Sequence, residues 1–272
     1  MPSITASDGV RLDYTETGDP AGRPVVLIAG FKAAATSWVL QQDALIGSGA
    51  RVIAFDRRGH GTSEAPTFGA RMSRHGKDLG DLLTALDLSG AVLVGGSQGG
   101  STIWAYVSLF GAERLAGIVT VDQTPKMLNT EDWAYGFYDY DRSVMGTKFE
   151  HGVPPTGRGT PPAERGERLI RLMSAMRIDP ARTVPTTYAI PELALLNDHA
   201  VQDWRDVIAR LDVPSLLVAG RDSELWPCEH AEASAALNGL AASVVIEDCG
   251  HAANIEQPDL FNELLVDFIA RL

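Results

Sequence analysis

The chain has 272 residues, 45% of them hydrophobic, and a formal charge of −12. That composition supports one sizeable core, and the acidic balance argues against nucleic acid or an anionic membrane as the main partner. No apolar run reaches the length of a transmembrane helix. No basic segment followed by an apolar stretch opens the chain, so no signal peptide is expected. The two cysteines, Cys228 and Cys249, make no disulfide framework, and no Cys/His cluster has zinc spacing. The expectation is a cytoplasmic protein that needs neither metal nor cofactor, with a homo-oligomer left open.

Residues 1–24 read as a polar hairpin, with alternation over Val10–Tyr14 and a turn at Thr17-Gly18-Asp19-Pro20. Pro24–Ala29 is a continuous apolar run, the pattern of a strand buried on both faces, and it ends at Gly30-Phe31-Lys32. A helix starting at Thr36 or Ser37 is followed by a second buried strand, Arg51–Phe55, and by the loop Asp56-Arg57-Arg58-Gly59-His60-Gly61-Thr62-Ser63. Residues 70–87 form an amphipathic helix with Leu79, Leu82, Leu83 and Leu86 on one face. Next come a strand ending at Gly95-Gly96-Ser97-Gln98-Gly99-Gly100, a helix, and a strand from Leu115 to Val121 that runs into Asp122. Alternation of strand and helix then stops until Val213–Gly220, after which a helix near 229–237, a strand at 243–246 and a helix from Leu260 complete the chain.

Alternating strands and helices imply an α/β fold with a mostly parallel central sheet covered on both faces. The interruption implies a helical cap over 126–210, inserted into a core made of 1–125 and 211–272. The cap segment holds Trp133, Tyr135, Phe137, Tyr138 and Tyr140, which either line an apolar pocket or form the cap's own small core. It also holds the proline- and glycine-rich stretch Pro154–Pro162, a candidate flap or a plain surface loop.

Strand, tight turn and helix with a serine at the apex is the G-x-S-x-G nucleophile elbow. Side chains at Gly95 or Gly99 would collide with the neighbouring strand and helix. The pattern is loose by itself, because glycine-rich turns of this kind also hold phosphates. A serine nucleophile needs a base and an orienting acid, and chemistry in such sheets gathers past the carboxyl ends of the strands. Asp222 follows one late strand and His251 follows the next. Asp122, ending an earlier strand, is the rival acid. Lys32, beside the Gly30-Phe31 turn, either meets a substrate carboxylate or is a solvated surface lysine. His60 reads as structural, and His75, His151, His199 and His230 have no functional context. Cys228 and Cys249 read as buried and inert.

Over nearly its whole length the sequence resembles the α/β-hydrolase superfamily, through Gly30-Phe31, Asp56–Ser63, Gly95-Gly96-Ser97-Gln98-Gly99, Gly220-Arg221-Asp222, and Gly250-His251 with Glu256-Gln257-Pro258 downstream. It looks most like small capped bacterial esterases, lactonases and haloperoxidase-like perhydrolases. The resemblance implies that Ser97 attacks a carbonyl, that His251 moves the proton, that Asp222 holds the imidazole, and that the backbone N–H groups of Phe31 and Gln98 form the oxyanion hole. Two departures stand out. Ala29 occupies the position before Gly30 where members of the family often carry histidine, and Lys32 stands where perhydrolase-like members often have proline. Serine at the elbow points to acyl transfer on a small-molecule ester or lactone. The same triad also serves C–C bond hydrolysis, perhydrolysis, a non-hydrolytic biosynthetic step, or slow-turnover ligand binding in signalling.

Overall fold

The computed structural model describes residues 1–159 and 187–272, with Gly166 and Ile170 between them. Its centre is an eight-stranded sheet of strands β1 (Ser3–Thr5), β2 (Arg11–Gly18), β3 (Pro24–Ile28), β4 (Arg51–Phe55), β5 (Ala91–Gly96), β6 (Leu115–Val121), β7 (Ser215–Gly220) and β8 (Ala241–Ile246). They lie in the order β1-β2-β4-β3-β5-β6-β7-β8. The β1–β2 and β2–β4 pairs are antiparallel, so the polar hairpin forms one edge. From β4 through β8 all neighbours are parallel.

Burial on both faces explains the unbroken apolar strands. The side chains of β3 and β5 alternate between two cores. Val26, Ile28 and Leu93 pack with Leu79, Leu82 and Leu83 of helix α2 (Met72–Ala85) and with Ile103 of α3 (Gln98–Phe110). Val25, Leu27, Val92 and Val94 pack on the other face with Trp38, Leu45, Phe261 and Leu265. Trp38 lies in a short 3₁₀ helix (Ala35–Gln41) ahead of α1 (Gln42–Gly47).

Between β6 and β7 the described residues contribute α4 (Ile190–Ala200) and α5 (Arg205–Ala209) but no strand of the sheet. After β7 come α6 (His230–Ala235), α7 (Ala253–Glu256) and α8 (Pro258–Ala270). No described helix is long and apolar enough to cross a membrane.

The sheet order puts β5 in the middle, with β3 and β6 beside it, so the segments after Ile28, Gly96 and Val121 emerge side by side. The crossing of β5 into α3 is tight. A Cβ on Gly95 would sit 2.5 Å from the Gly100 nitrogen, and one on Gly99 would overlap the Ile28 carbonyl oxygen of β3. Gly99→Ala is therefore expected to lower stability by about 1–3 kcal/mol in urea denaturation, the usual cost of overpacking. Gly47→Ala, with nothing within 4 Å of the added carbon, is expected to stay within about 0.5 kcal/mol of the parent.

Candidate active site

Ser97 occupies the turn between β5 and α3 with φ 50° and ψ −128°, a backbone conformation that side chains disfavour. Three contacts hold it there. Its N–H donates to the Val121 carbonyl (2.8 Å), its carbonyl accepts from Gly100 N–H (2.8 Å), and Gly30 lies so close that a Cβ on it would be 3.1 Å from the Ser97 Cβ. The serine is half-buried, and the start of α3 points along it. Among the described residues neither Phe31 N–H nor Gln98 N–H has an acceptor.

His251 lies in the loop after β8. Its Nδ1 donates to Asp122 Oδ2 at 2.6 Å, which leaves Nε2 as the lone-pair nitrogen. The loop is pinned by Glu256, whose carboxylate accepts from Gly250 N–H (3.0 Å) and Ala252 N–H (3.2 Å) on either side of the histidine. The backbone N–H of His251 itself donates to Glu224 (3.3 Å). This gives the Glu256-Gln257-Pro258 stretch a structural job.

Asp122, and not Asp222, is the carboxylate against His251. Asp222 is exposed and is held through its backbone N–H, which donates to the Cys249 carbonyl (2.8 Å). Asp122 is fully buried at the end of β6 and has φ 45°. Besides His251 it accepts from Ser223 Oγ (2.6 Å), Gly220 N–H (3.3 Å) and His230 Nε2 (3.3 Å). Ser223 is the neighbour of the residue the sequence favoured. Burial opposes charge on Asp122, but hydrogen bonds from His230 and His251 outweigh it and hold the pKa at about 2. Burial likewise opposes charge on His251, but the bond to Asp122 and its negative charge win, and the pKa stands above its ordinary value. Ser223 carried no sequence signal and His230 had no functional context, because neither lies in a motif.

Behind the Gly30-Phe31 turn sits Arg57, 1% exposed. It donates to the carbonyls of Ala29 (3.1 Å) and Gly30 (2.7 Å) and to Gln98 Oε1 (2.8 Å). It also donates to His75 Nδ1 and His60 Nε2, each at 3.1 Å. Arginine offers only donors, so both ring nitrogens are acceptors. His60 then carries its proton on Nδ1, facing the Arg58 carbonyl at 2.9 Å. Burial lowers the Arg57 pKa to about 9, partly offset by the charges of Asp56 and Asp78. Its neighbour Arg58 instead makes a buried two-pronged bridge to Asp78. Asp56 braces the same loop through Ala35 N–H (2.6 Å) and Thr62 N–H (2.9 Å).

Lys32 is engaged by residues between β6 and β7. Its Nζ donates to the Thr187 carbonyl (2.9 Å) and Glu192 (3.1 Å) and lies 4.7 Å from the Tyr188 ring centre. The aromatic run divides. Phe137 and Tyr140 pack with Phe149, Leu196 and Trp226 in a core that Phe31 abuts. Trp133 pairs with Tyr135 and donates to the Lys126 carbonyl (3.0 Å), away from that core. Tyr138 is half-buried under Arg158. Trp226, unmarked in the sequence, stands edge-on to His251 at 5.5 Å between ring centres. Of the Pro154–Pro162 stretch, residues 160–162 lie outside the described residues. Both cysteines are buried free thiols.

A mostly parallel sheet with a strained serine after its central strand, and a buried aspartate paired with a half-buried histidine past later strands, defines an α/β enzyme of the hydrolase type. Residues 25–264 match the alpha/beta hydrolase family, and the chain belongs to it. It is 30% identical to a non-heme chloroperoxidase of Streptomyces lividans over 99% of both chains. It is 26% identical to a bifunctional esterase/perhydrolase of Acinetobacter calcoaceticus, again over 99% of both. The structure of a bromoperoxidase from Bacillus anthracis superposes with a TM-score of 0.79 at 25% identity, over 99% of this chain and all of that one.

The buried histidines make stability depend on pH. Burial, reinforced by the Arg57 charge, holds His60 and His199 at about 3 and His75 well below its ordinary 6.5. As pH falls below 6.5 the unfolded chain takes up these protons and the folded chain does not, so stability falls. His251 acts in the opposite sense, because its raised pKa adds stability below 6.5. With three groups against one, the melting temperature is expected to drop between pH 7 and pH 5. His199→Phe is expected to flatten that slope by up to about 1.4 kcal/mol per pH unit.

Proposed function

We propose that the protein is a serine hydrolase that cleaves a small carboxylic ester or lactone through an acyl-enzyme, with Ser97, His251 and Asp122 as nucleophile, base and acid. The observation that carries this reading is the 2.6 Å bond from His251 Nδ1 to the buried Asp122, on the strand next to the one that ends at the strained Ser97. Asp122 fixes the tautomer in which Nε2 accepts the Ser97 proton, and it stabilises the imidazolium that results. Ser97 Oγ attacks the carbonyl carbon, and the carbonyl oxygen gains negative charge. The N–H groups of Phe31 and Gln98 receive it. Each such donor is typically worth about 3 kcal/mol of barrier. His251 returns the proton to the leaving alcohol. Water, activated by the same nitrogen, then releases the acid. The segment between β6 and β7, with Tyr188 stacked on Phe31 at 6.1 Å, acts as the cap that selects the acyl group.

A second reading, perhydrolysis on the same acyl-enzyme, is favoured by the chloroperoxidase and esterase/perhydrolase relatives. Hydrogen peroxide in place of water would release a peracid able to oxidise bromide. Comparing p-nitrophenyl acetate turnover with peroxide-dependent bromination of an organic acceptor separates the two.

The acid assignment has a direct comparison. Asp122→Asn is expected to lower kcat on p-nitrophenyl acetate by ~10³–10⁴-fold, Ser97→Ala to abolish turnover, and Asp222→Asn to leave it within about two-fold, the scale of an exposed side chain. A base that must be neutral and whose pKa is raised places the acidic limb of kcat/KM above pH 6.5. A larger loss in Asp222→Asn than in Asp122→Asn would reverse the assignment.

A further inference from the structure

Both backbone donors offered to the developing oxyanion are tied, on their far side, to one buried side chain. Arg57 Nη2 donates to the Gly30 carbonyl at 2.7 Å. That carbonyl belongs to the same planar trans peptide as the Phe31 N–H, and the two groups of such a peptide point in opposite directions. A donor on the carbonyl side therefore aims the Phe31 N–H away from Arg57. Gly30 is also the residue that crowds Ser97, with 3.1 Å between its virtual Cβ and the Ser97 Cβ. Arg57 Nη1 meanwhile holds Gln98 Oε1 at 2.8 Å, gripping the residue that supplies the second N–H. A third bond, from Nε to the Ala29 carbonyl at 3.1 Å, fixes the approach to the turn.

The charge is as particular as the geometry. Among the described residues the five acceptors facing Arg57 are neutral: two carbonyls, one amide and two imidazoles. Arg58, next in sequence, has its charge matched directly by Asp78 and Asp8. Burying a guanidinium without a carboxylate in contact costs free energy. Asp56 and Asp78 offset the Arg57 charge in part, without touching it among the described residues. In a low-dielectric interior a cation that is only partly offset acts over a longer range than one in water, and this one lies behind the Gly30–Phe31 turn.

We propose that Arg57 is the positioning residue of the oxyanion hole. Its planar fork sets the Gly30–Phe31 peptide and Gln98 in register with Ser97, and its buried charge, which no carboxylate touches among the described residues, favours the anionic transition state over the neutral substrate. This rests on the serine-hydrolase reading above. Lysine keeps the charge but replaces a fork with a single ammonium, so it loses the simultaneous hold on the turn and on Gln98.

The test uses Arg57→Lys and Gln98→Met, with p-nitrophenyl acetate as substrate and phenylboronic acid as a probe that forms a tetrahedral anion on the nucleophile. Gln98→Met keeps the backbone donor and cuts only the side-chain tie. It also removes an amide nitrogen that is buried without a partner among the described residues, so it keeps the test open if Arg57→Lys does not fold. In folded Arg57→Lys protein, kcat is expected to fall about 10–100-fold, at or below the scale of a lost oxyanion donor. KM is expected to hold within about two-fold, and the boronate inhibition constant to rise by the same factor as kcat falls. Gln98→Met is expected to follow the same pattern, reduced to about 3–10-fold. Wild-type kcat and boronate affinity in the folded variants, or a change confined to KM, overturns the role of Arg57. If Ser97→Ala retains wild-type turnover, the underlying reading fails first and this one with it.

Discussion

Everything at the site depends on how closely three stretches of backbone approach at the end of β5. Gly95 meets the first turn of α3, Gly99 meets the Ile28 carbonyl of β3, and Gly30 meets Ser97 itself. A methyl group at Gly95 or Gly99 would overlap another backbone, and one at Gly30 would press on the serine itself. The compression holds Ser97 at φ 50°, and this lifts its side chain clear of both strand and helix. Phe31 follows the glycine that crowds Ser97, and Gln98 opens the helix that the serine caps, so in the proposed mechanism strain and binding of negative charge come from one packing constraint.

Around that turn the interior is polarised. On the β6 side, Asp122 is an anion held by four donors. On the side of the Asp56–Ser63 loop, Arg57 is a cation whose hydrogen-bond partners among the described residues are all neutral acceptors. The proposed acyl transfer, which would move positive charge onto His251 and negative charge onto a carbonyl oxygen, is matched by a field of this sense. The three neutral histidines near Arg57 belong to the same arrangement. They supply lone pairs or bulk without adding a second charge, and the protein accepts acid sensitivity as a consequence.

Much of this was legible in the sequence. Most strands of the parallel sheet announce themselves by continuous apolar runs, because a strand buried on both faces has no reason to alternate. Gly95 and Gly99 flank Ser97 for a steric reason that can be read without coordinates. The carboxylate against His251 was less legible. Asp222 follows β7 in the expected order, but its side chain faces solvent, and what decides is which carboxylate is buried with donors converging on it. That convergence joins residues far apart in the chain: Asp122, Ser223, His230 and His251. Nothing local marks Ser223 or His230. Arg57 was equally hidden, since an arginine pair in a loop reads as surface charge until one member is found with no carboxylate in contact. Trp226 and the split of the aromatic run into a packed core and an outlying Trp133–Tyr135 pair also come from tertiary contacts alone.

The most direct test of the central claim is to catch the acyl group on its residue. The protein is mixed with p-nitrophenyl trimethylacetate, whose bulky acyl group slows release, then quenched in acid, digested and mapped by tandem mass spectrometry. The account predicts one trimethylacetyl group on Ser97, formed in step with the burst of p-nitrophenol. An unmodified Ser97 in protein that shows the burst, or an acyl group on any other residue, would contradict it.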